Sequence, residues 1–188
     1  MTTERVKRKL SALLSADVKG YSRLMGEDEV ATVRTLENYR KVMADLIQQH
    51  RGRVVDSPGD NLLAEFASVV DVVQCAVQIQ QVIKAKNAEL PENRKMEFRI
   101  GINLGDVIEE GDRIYGDGVN IAARLEGLAD PGGVCISRTA FDHIESKLPL
   151  LVVSRPEGEG GKRPHSSSAP PPYPVSTGTC STAKLPSL

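Results

Sequence analysis

The chain has no tryptophan, and its three phenylalanines and four tyrosines make up only 4% of 188 residues. No pair of strands carries aromatic faces on which bases could stack, which excludes a ferredoxin-like RNA-binding module. Charge of one sign is lacking too: 24 Lys and Arg stand against 25 Asp and Glu, a net charge of −1. No global basic excess therefore points to nucleic acid as a partner. No segment reaches the roughly 20 apolar residues of a membrane span. The opening MTTERVKRKLSALLSAD runs basic and then apolar like a secretory leader, but Asp17 cuts the apolar run short, so it reads as a first strand. Three cysteines form no CxxC pair and three histidines share no ligand spacing, so neither a zinc site nor a disulfide framework is expected. A reducing cytoplasm is the expected compartment.

Proline is unevenly spread. Seven of the 11 prolines fall in residues 151–188, beside SSS, PPP and GEGG clusters and without apolar periodicity. Such sequence buries too little surface to offset its ordering entropy, so 151–188 reads as a disordered tail. Residues 8–150 hold the periodic signal and form one domain.

Within that domain a buried strand at 10–16 ends at an acidic turn. Val30, Val33, Leu36, Tyr39, Val42, Met43, Leu46 and Ile47 then recur at helical spacing, with Asp28 and Glu29 at the start and Gly52 at the stop. Residues 53–55 and 62–66 read as a hairpin joined through the turn at 56–60. A second helix covers 68–87 with Ser68 as cap, and alternation from Phe98 to Ile108 marks another strand. The order β-α-β-β-α-β is that of the ferredoxin-like α+β motif, an antiparallel sheet with two helices on one face. A helix at 119–128, a short strand at 132–137 and a helix at 138–145 follow.

Three motifs carry chemistry. Asp17 stands in Ser15-Ala16-Asp17-Val18-Lys19-Gly20-Tyr21-Ser22 and Asp60 closes Ser57-Pro58-Gly59-Asp60, while Asn120 and Arg124 share a helical face in RIYGDGVNIAAR. Each has a plain reading alone: turn residues for the aspartates and Gly20, and a surface ion-pair partner of Asp117 or Glu126 for Arg124. Together and in this order, from about Lys9 to Leu148, they resemble the catalytic domain of bacterial class III adenylate/guanylate cyclases.

That resemblance implies the class III nucleotidyl cyclase fold and conversion of ATP to 3′,5′-cyclic AMP and pyrophosphate in intracellular signal transduction. Asp17 and Asp60 would hold two divalent ions, Mg²⁺ or Mn²⁺, per active site. Val18, Lys19, Gly20, Tyr21 and Ser22 would bind the triphosphate, with Tyr21 where relatives usually have Phe. Asn120 would orient the ribose and Arg124 would stabilise phosphate charge. The aspartates and the Asn/Arg pair of one site come from different subunits in this family, which implies a homodimer with two composite sites.

Two departures stand out. The purine-reading positions hold Asp56 and Arg113, or Asp112 if the loop shifts by one, matching neither the Lys-with-Asp/Thr pattern of adenylate cyclases nor the Glu-with-Cys pattern of guanylate cyclases. ATP ranks first on the family's tendency and GTP is the alternative, since a carboxylate and a guanidinium complement guanine. The family's final strand, with its phosphate-binding lysine, is replaced after Leu150 by Pro/Ser-rich sequence in which Lys162 and Lys184 are poor substitutes. These departures favour a second alternative, a catalytically weak cyclase-like module that dimerises and binds nucleotide.

Overall fold

A computed structural model describes residues 7–148 and the backbone of two short strands, 153–154 and 180–182. The elements run β1 (Lys7–Val18), α1 (Tyr21–Glu27), α2 (Glu29–Gln49), β2 (Arg53–Asp56), β3 (Leu62–Phe66), α3 (Val69–Asn87), β4 (Phe98–Glu110), β5 (Arg113–Tyr115), α4 (Asp117–Leu128), β6 (Val134–Ser137), α5 (Arg138–Ile144), β7 (Val153–Ser154) and β8 (Cys180–Thr182). The sheet order is β2-β3-β1-β4-β6-β8-β7, with β5 folded back on β4. The pairs on either side of β1 are antiparallel, whereas β4 and β6 run parallel. This is the expected α+β architecture.

Alternation along β1 decides which residues meet which helices. Ala12, Leu14, Ala16 and Val18 join Phe98, Ile100 and Ile102 against the apolar stripes of α2 and α3, among them Leu36, Tyr39, Met43, Val72, Ala76 and Ile79. Leu13 belongs to a second cluster with Leu63, Val107, Ile114 and Ala122, under α4. The sheet is thus covered on both faces, which extends the sequence reading of two helices on one face. Helix α4 lies very close to β4: a Cβ on Gly101 would stand 2.2 Å from the Ala122 carbonyl oxygen and 2.3 Å from the Glu126 nitrogen. Only glycine permits that approach.

Caps agree with sequence. The Asp28 carboxylate accepts from Ala31 N at 2.9 Å to start α2, and Ser68 Oγ accepts from Asp71 N at 3.3 Å to start α3. Helix α1 is new relative to the sequence reading. At seven residues, with Leu24 alone buried, it is too short to show a period. Strands β5, β7 and β8, of two or three residues, escape notice for the same reason.

Strand β8 pairs antiparallel with β6, Ile136 opposite Ser181, and β7 pairs with β8. Two strands therefore lie in the stretch expected to be a disordered tail, and the rest of 151–188 is outside the described residues. Cys75 is buried and free, and burial pushes its thiol up to about 12. Cys135 is disulfide-bonded, which corrects the expectation of no disulfide. Among the described residues no helix is long and apolar enough to cross a membrane.

Candidate active site

Strand β1 runs out at Asp17 and Val18, and its register with β3 sets Ala16 opposite Leu62. The turn before β3 consequently lies beside the end of β1, and Val18 N donates to Asp60 Oδ2 at 3.2 Å. Asp17 and Asp60 are thereby brought to one end of the sheet. On its other side Asp17 faces Arg99 of β4. Arg99 Nε donates to Asp17 Oδ1 at 2.9 Å and Nη2 donates to Oδ2, a bidentate pair with both side chains about one-fifth exposed. The hydrogen bond to Asp17 raises the Arg99 pKa, burial opposes it, and the charges of Asp17, Glu126 and Asp60 add to the rise.

Glu126 completes this cluster from α4. Its carboxylate is buried, and Oε2 accepts from Ser15 Oγ and, at 3.0 Å, from Asn61 Nδ2. Burial is the main force raising its pKa to about 7; the Asp17 charge adds to it, while Ser15, Asn61 and Arg99 pull it back. The fold therefore holds this proton more tightly than the unfolded chain does. Stability is expected to fall as pH rises from about 4.5 to about 7, because the unfolded chain releases the proton first. Glu126→Gln keeps acceptors for Ser15 and Asn61 and should flatten that part of the profile in urea titrations across pH. Parallel profiles for the two proteins would remove Glu126 as the cause.

Two adjacent carboxylates suit a hard divalent cation, which prefers oxygen ligands. Asp60 Oδ1 has no hydrogen-bond partner among the described residues, but both Asp17 oxygens are held by Arg99. No group of three or more His, Cys, Asp or Glu side chains converges among the described residues. A cation here would take its remaining ligands from water or substrate phosphate, as Mg²⁺ commonly does.

The turn after Asp17 is partly committed to the fold. Val18 N–H goes to Asp60 and Lys19 N–H to the Glu97 carbonyl at 2.9 Å. Two of the amides that sequence reasoning gave to the triphosphate are thus occupied by protein acceptors, leaving those of Gly20, Tyr21 and Ser22. Gly20 takes a left-handed conformation (φ 70°, ψ 30°) and caps α1, which Tyr21 and Ser22 open. The first amides of a helix have no partner within it.

Asn120 and Arg124 sit elsewhere. Gly118, Ala122, Leu125 and Glu126 bury one side of α4, and Asn120 and Arg124 are exposed on the other. Arg124 makes no hydrogen bond or ion pair among the described residues, so neither Asp117 nor Glu126 is its partner. Around this face stand the exposed apolar side chains of Tyr115, Ile121 and Leu128. No hydrogen bond or ion pair joins Asn120 or Arg124 to Asp17 or Asp60 among the described residues.

Asp56 ends β2 and Arg113 opens β5, and both are exposed. Asp56 Oδ1 accepts from Ser57 N at 2.8 Å. The Arg113 pKa is raised first by the Tyr115 hydroxyl and then by the Asp56 charge, without a direct ion pair between Arg113 and Asp56. Arg53 Nη1 donates to the Asp112 carbonyl at 3.2 Å and Arg53 pairs with buried Glu65 at 2.8 Å, which ties the start of β2 to β3 and to the turn before β5. Sequence reasoning missed Arg99 and Glu126. Glu126 had left a signal, a carboxylate on the buried stripe of Ala122 and Leu125.

Comparison with known proteins bears on this arrangement. The profile of the family described as adenylate and guanylate cyclase catalytic domain matches residues 7–157. A Rhizobium meliloti (strain 1021) protein named as an adenylate cyclase is 44% identical over 154 residues, which are 81% of this chain and 26% of that protein. The chain thus spans about a quarter of that relative's length. The crystal structure of an adenylate/guanylate cyclase/hydrolase from Silicibacter pomeroyi superposes with a TM-score of 0.70 at 36% identity, covering 78% of this chain and 85% of that one. The adenylyl cyclase CyaB from P. aeruginosa shares the fold, with a TM-score of 0.73 at 19% identity over 98% of this chain and 97% of that one. The chain belongs to the adenylate and guanylate cyclase catalytic domain family.

Proposed function

We propose that this chain is an adenylate cyclase converting ATP to 3′,5′-cyclic AMP and pyrophosphate in cytoplasmic signal transduction, at two sites shared across a homodimer. One observation carries the reading: the carboxylates and the Asn/Arg pair occupy different faces of one chain, and the second face is exposed, rimmed by apolar side chains and without an ion-pair partner for Arg124. A twofold dimer gives each chain's Asn120 and Arg124 a place in its partner's site.

In the reaction the ribose O3′ attacks the α-phosphorus, a new O3′–P bond forms, and the bond to the departing pyrophosphate breaks. Asp17 and Asp60 would hold the divalent ions, Mg²⁺ or Mn²⁺, two to a site, which supply positive charge to the nucleophile and the leaving group. Arg124 presents a planar, permanently charged fork to the phosphate oxygens as charge shifts. Asn120, one helical turn away, offers an amide to the ribose. The amides of Gly20, Tyr21 and Ser22, three to five residues after Asp17 at the start of α1, would suit phosphate oxygens. Assay of cyclic nucleotide formation from ATP and from GTP with Mn²⁺ tests the reading. More cyclic AMP than cyclic GMP is expected; no product from either nucleotide would leave only a nucleotide-binding, dimerising module.

GTP is the second reading, favoured by the side chains at the base-reading edges. The Asp56 carboxylate would accept from guanine N1–H and N2–H, and the Arg113 guanidinium would donate to O6. Asp56→Lys with Arg113→Asp should raise the ATP/GTP preference, because lysine donates to adenine N1 and aspartate accepts from the N6 amine. About 1–3 kcal/mol per matched contact makes a shift of about tenfold or more in the ratio of kcat/KM values. An unchanged ratio in a folded, active variant would show that these side chains do not read the base and would turn attention to Asp112.

A further inference from the structure

We propose that Arg99 competes with the divalent cation for the Asp17 carboxylate and so sets how tightly this half of the site takes metal. The inference rests on the reading of Asp17 and Asp60 as the metal-holding pair. It starts from register: β1 and β4 pair antiparallel with Asp17 directly opposite Arg99, so neighbouring strands hold the two side chains together. Arg99 engages both Asp17 oxygens. A divalent cation needs at least one of them and would then sit within a few ångströms of a guanidinium that cannot lose its charge.

Arg99 also has somewhere to go. Its Nη1 lies 3.5 Å from the Gly127 carbonyl, and the Glu126 and Asp60 charges already act on it. Released from Asp17, the guanidinium keeps acceptors on the α4 side of the cluster, so exchange with a cation does not strand a buried charge. Charge-assisted bidentate pairing, about twice as strong as a neutral hydrogen bond, is the term that metal must overcome.

The test is Mn²⁺ binding to the full chain without nucleotide, read from the loss of the free-ion electron paramagnetic resonance signal. Arg99→Gln is expected to bind Mn²⁺ about tenfold more tightly than the wild type, a difference of about 1.4 kcal/mol. Arg99→Lys, which keeps charge but loses the fork, should fall between the two. It also serves if the Gln variant does not fold by circular dichroism, since it too must bind more tightly than wild type. Asp60→Asn placed in each background should abolish binding. Equal or weaker binding by the Arg99 variants, with binding still sensitive to Asp60→Asn, would overturn the competition and leave the metal reading standing. Mn²⁺ binding that Asp60→Asn does not affect, or no binding in any variant, would remove the metal assignment and the inference with it.

Discussion

Replacing either Asp17 or Asp60 with alanine is expected to reduce cyclase turnover by about 10³-fold or more, equivalent to at least about 4 kcal/mol of transition-state stabilisation, while the chain still folds and dimerises. The structural consequences are small by comparison. Neither residue belongs to the apolar clusters of the core. Asp60 supports one backbone hydrogen bond, from Val18 N, worth about 1 kcal/mol. Losing Asp17 leaves Arg99 without its bidentate partner, but Arg99 is 22% exposed and stays near the Gly127 carbonyl and the Glu126 charge, so water and those groups take up part of the loss. Initial rates with Mn²⁺, together with size-exclusion chromatography and thermal melts, separate the two effects. A near-normal rate in either folded variant would mean that the carboxylates do not hold catalytic metal.

The fold was legible where elements were long enough for a period to repeat. The stripes of α2 and α3 and the alternation of β1 and β4 each span several repeats, so their existence and type follow from local sequence. Asp28 and Ser68 announced their caps. Helix α1 offers two turns and one buried residue, and β5 offers three residues, too little for any pattern. The site divides in the same way. Asp17, Asp60, Asn120 and Arg124 stand in motifs whose order is visible in the chain, whereas the partnership of Arg99 with Asp17 is set by strand register across 82 residues. Likewise, nothing in Val18-Lys19 says that one amide will go to Asp60 and the next to Glu97, because both acceptors come from distant segments. Glu126 was open to detection. A carboxylate four residues after the stripe position Ala122 and next to Leu125, and buried with them, breaks the apolar pattern, and such breaks concentrate at functional sites.

An equimolar mixture of the inactive Asp17→Ala and Arg124→Ala chains is expected to regain activity once the dimers exchange subunits. Arg124 is exposed and unpaired among the described residues, so its removal should change stability by no more than about 0.5 kcal/mol. Each parent homodimer has two identical sites, both missing a necessary group. In the mixed dimer the lesions segregate: one site receives both alanines, and the other takes Asp17 from one chain and Arg124 from its partner. Random exchange makes about half of the dimers mixed with one sound site of two, so the mixture should approach about a quarter of wild-type activity, and purified mixed dimers about half. No arrangement with all four groups of a site on one chain predicts this recovery, since neither variant chain then carries an intact set. Purified mixed dimers that stay silent would therefore refute sites built across subunits, and would require Asn120 and Arg124 to reach Asp17 and Asp60 within one chain, from the opposite face of α4.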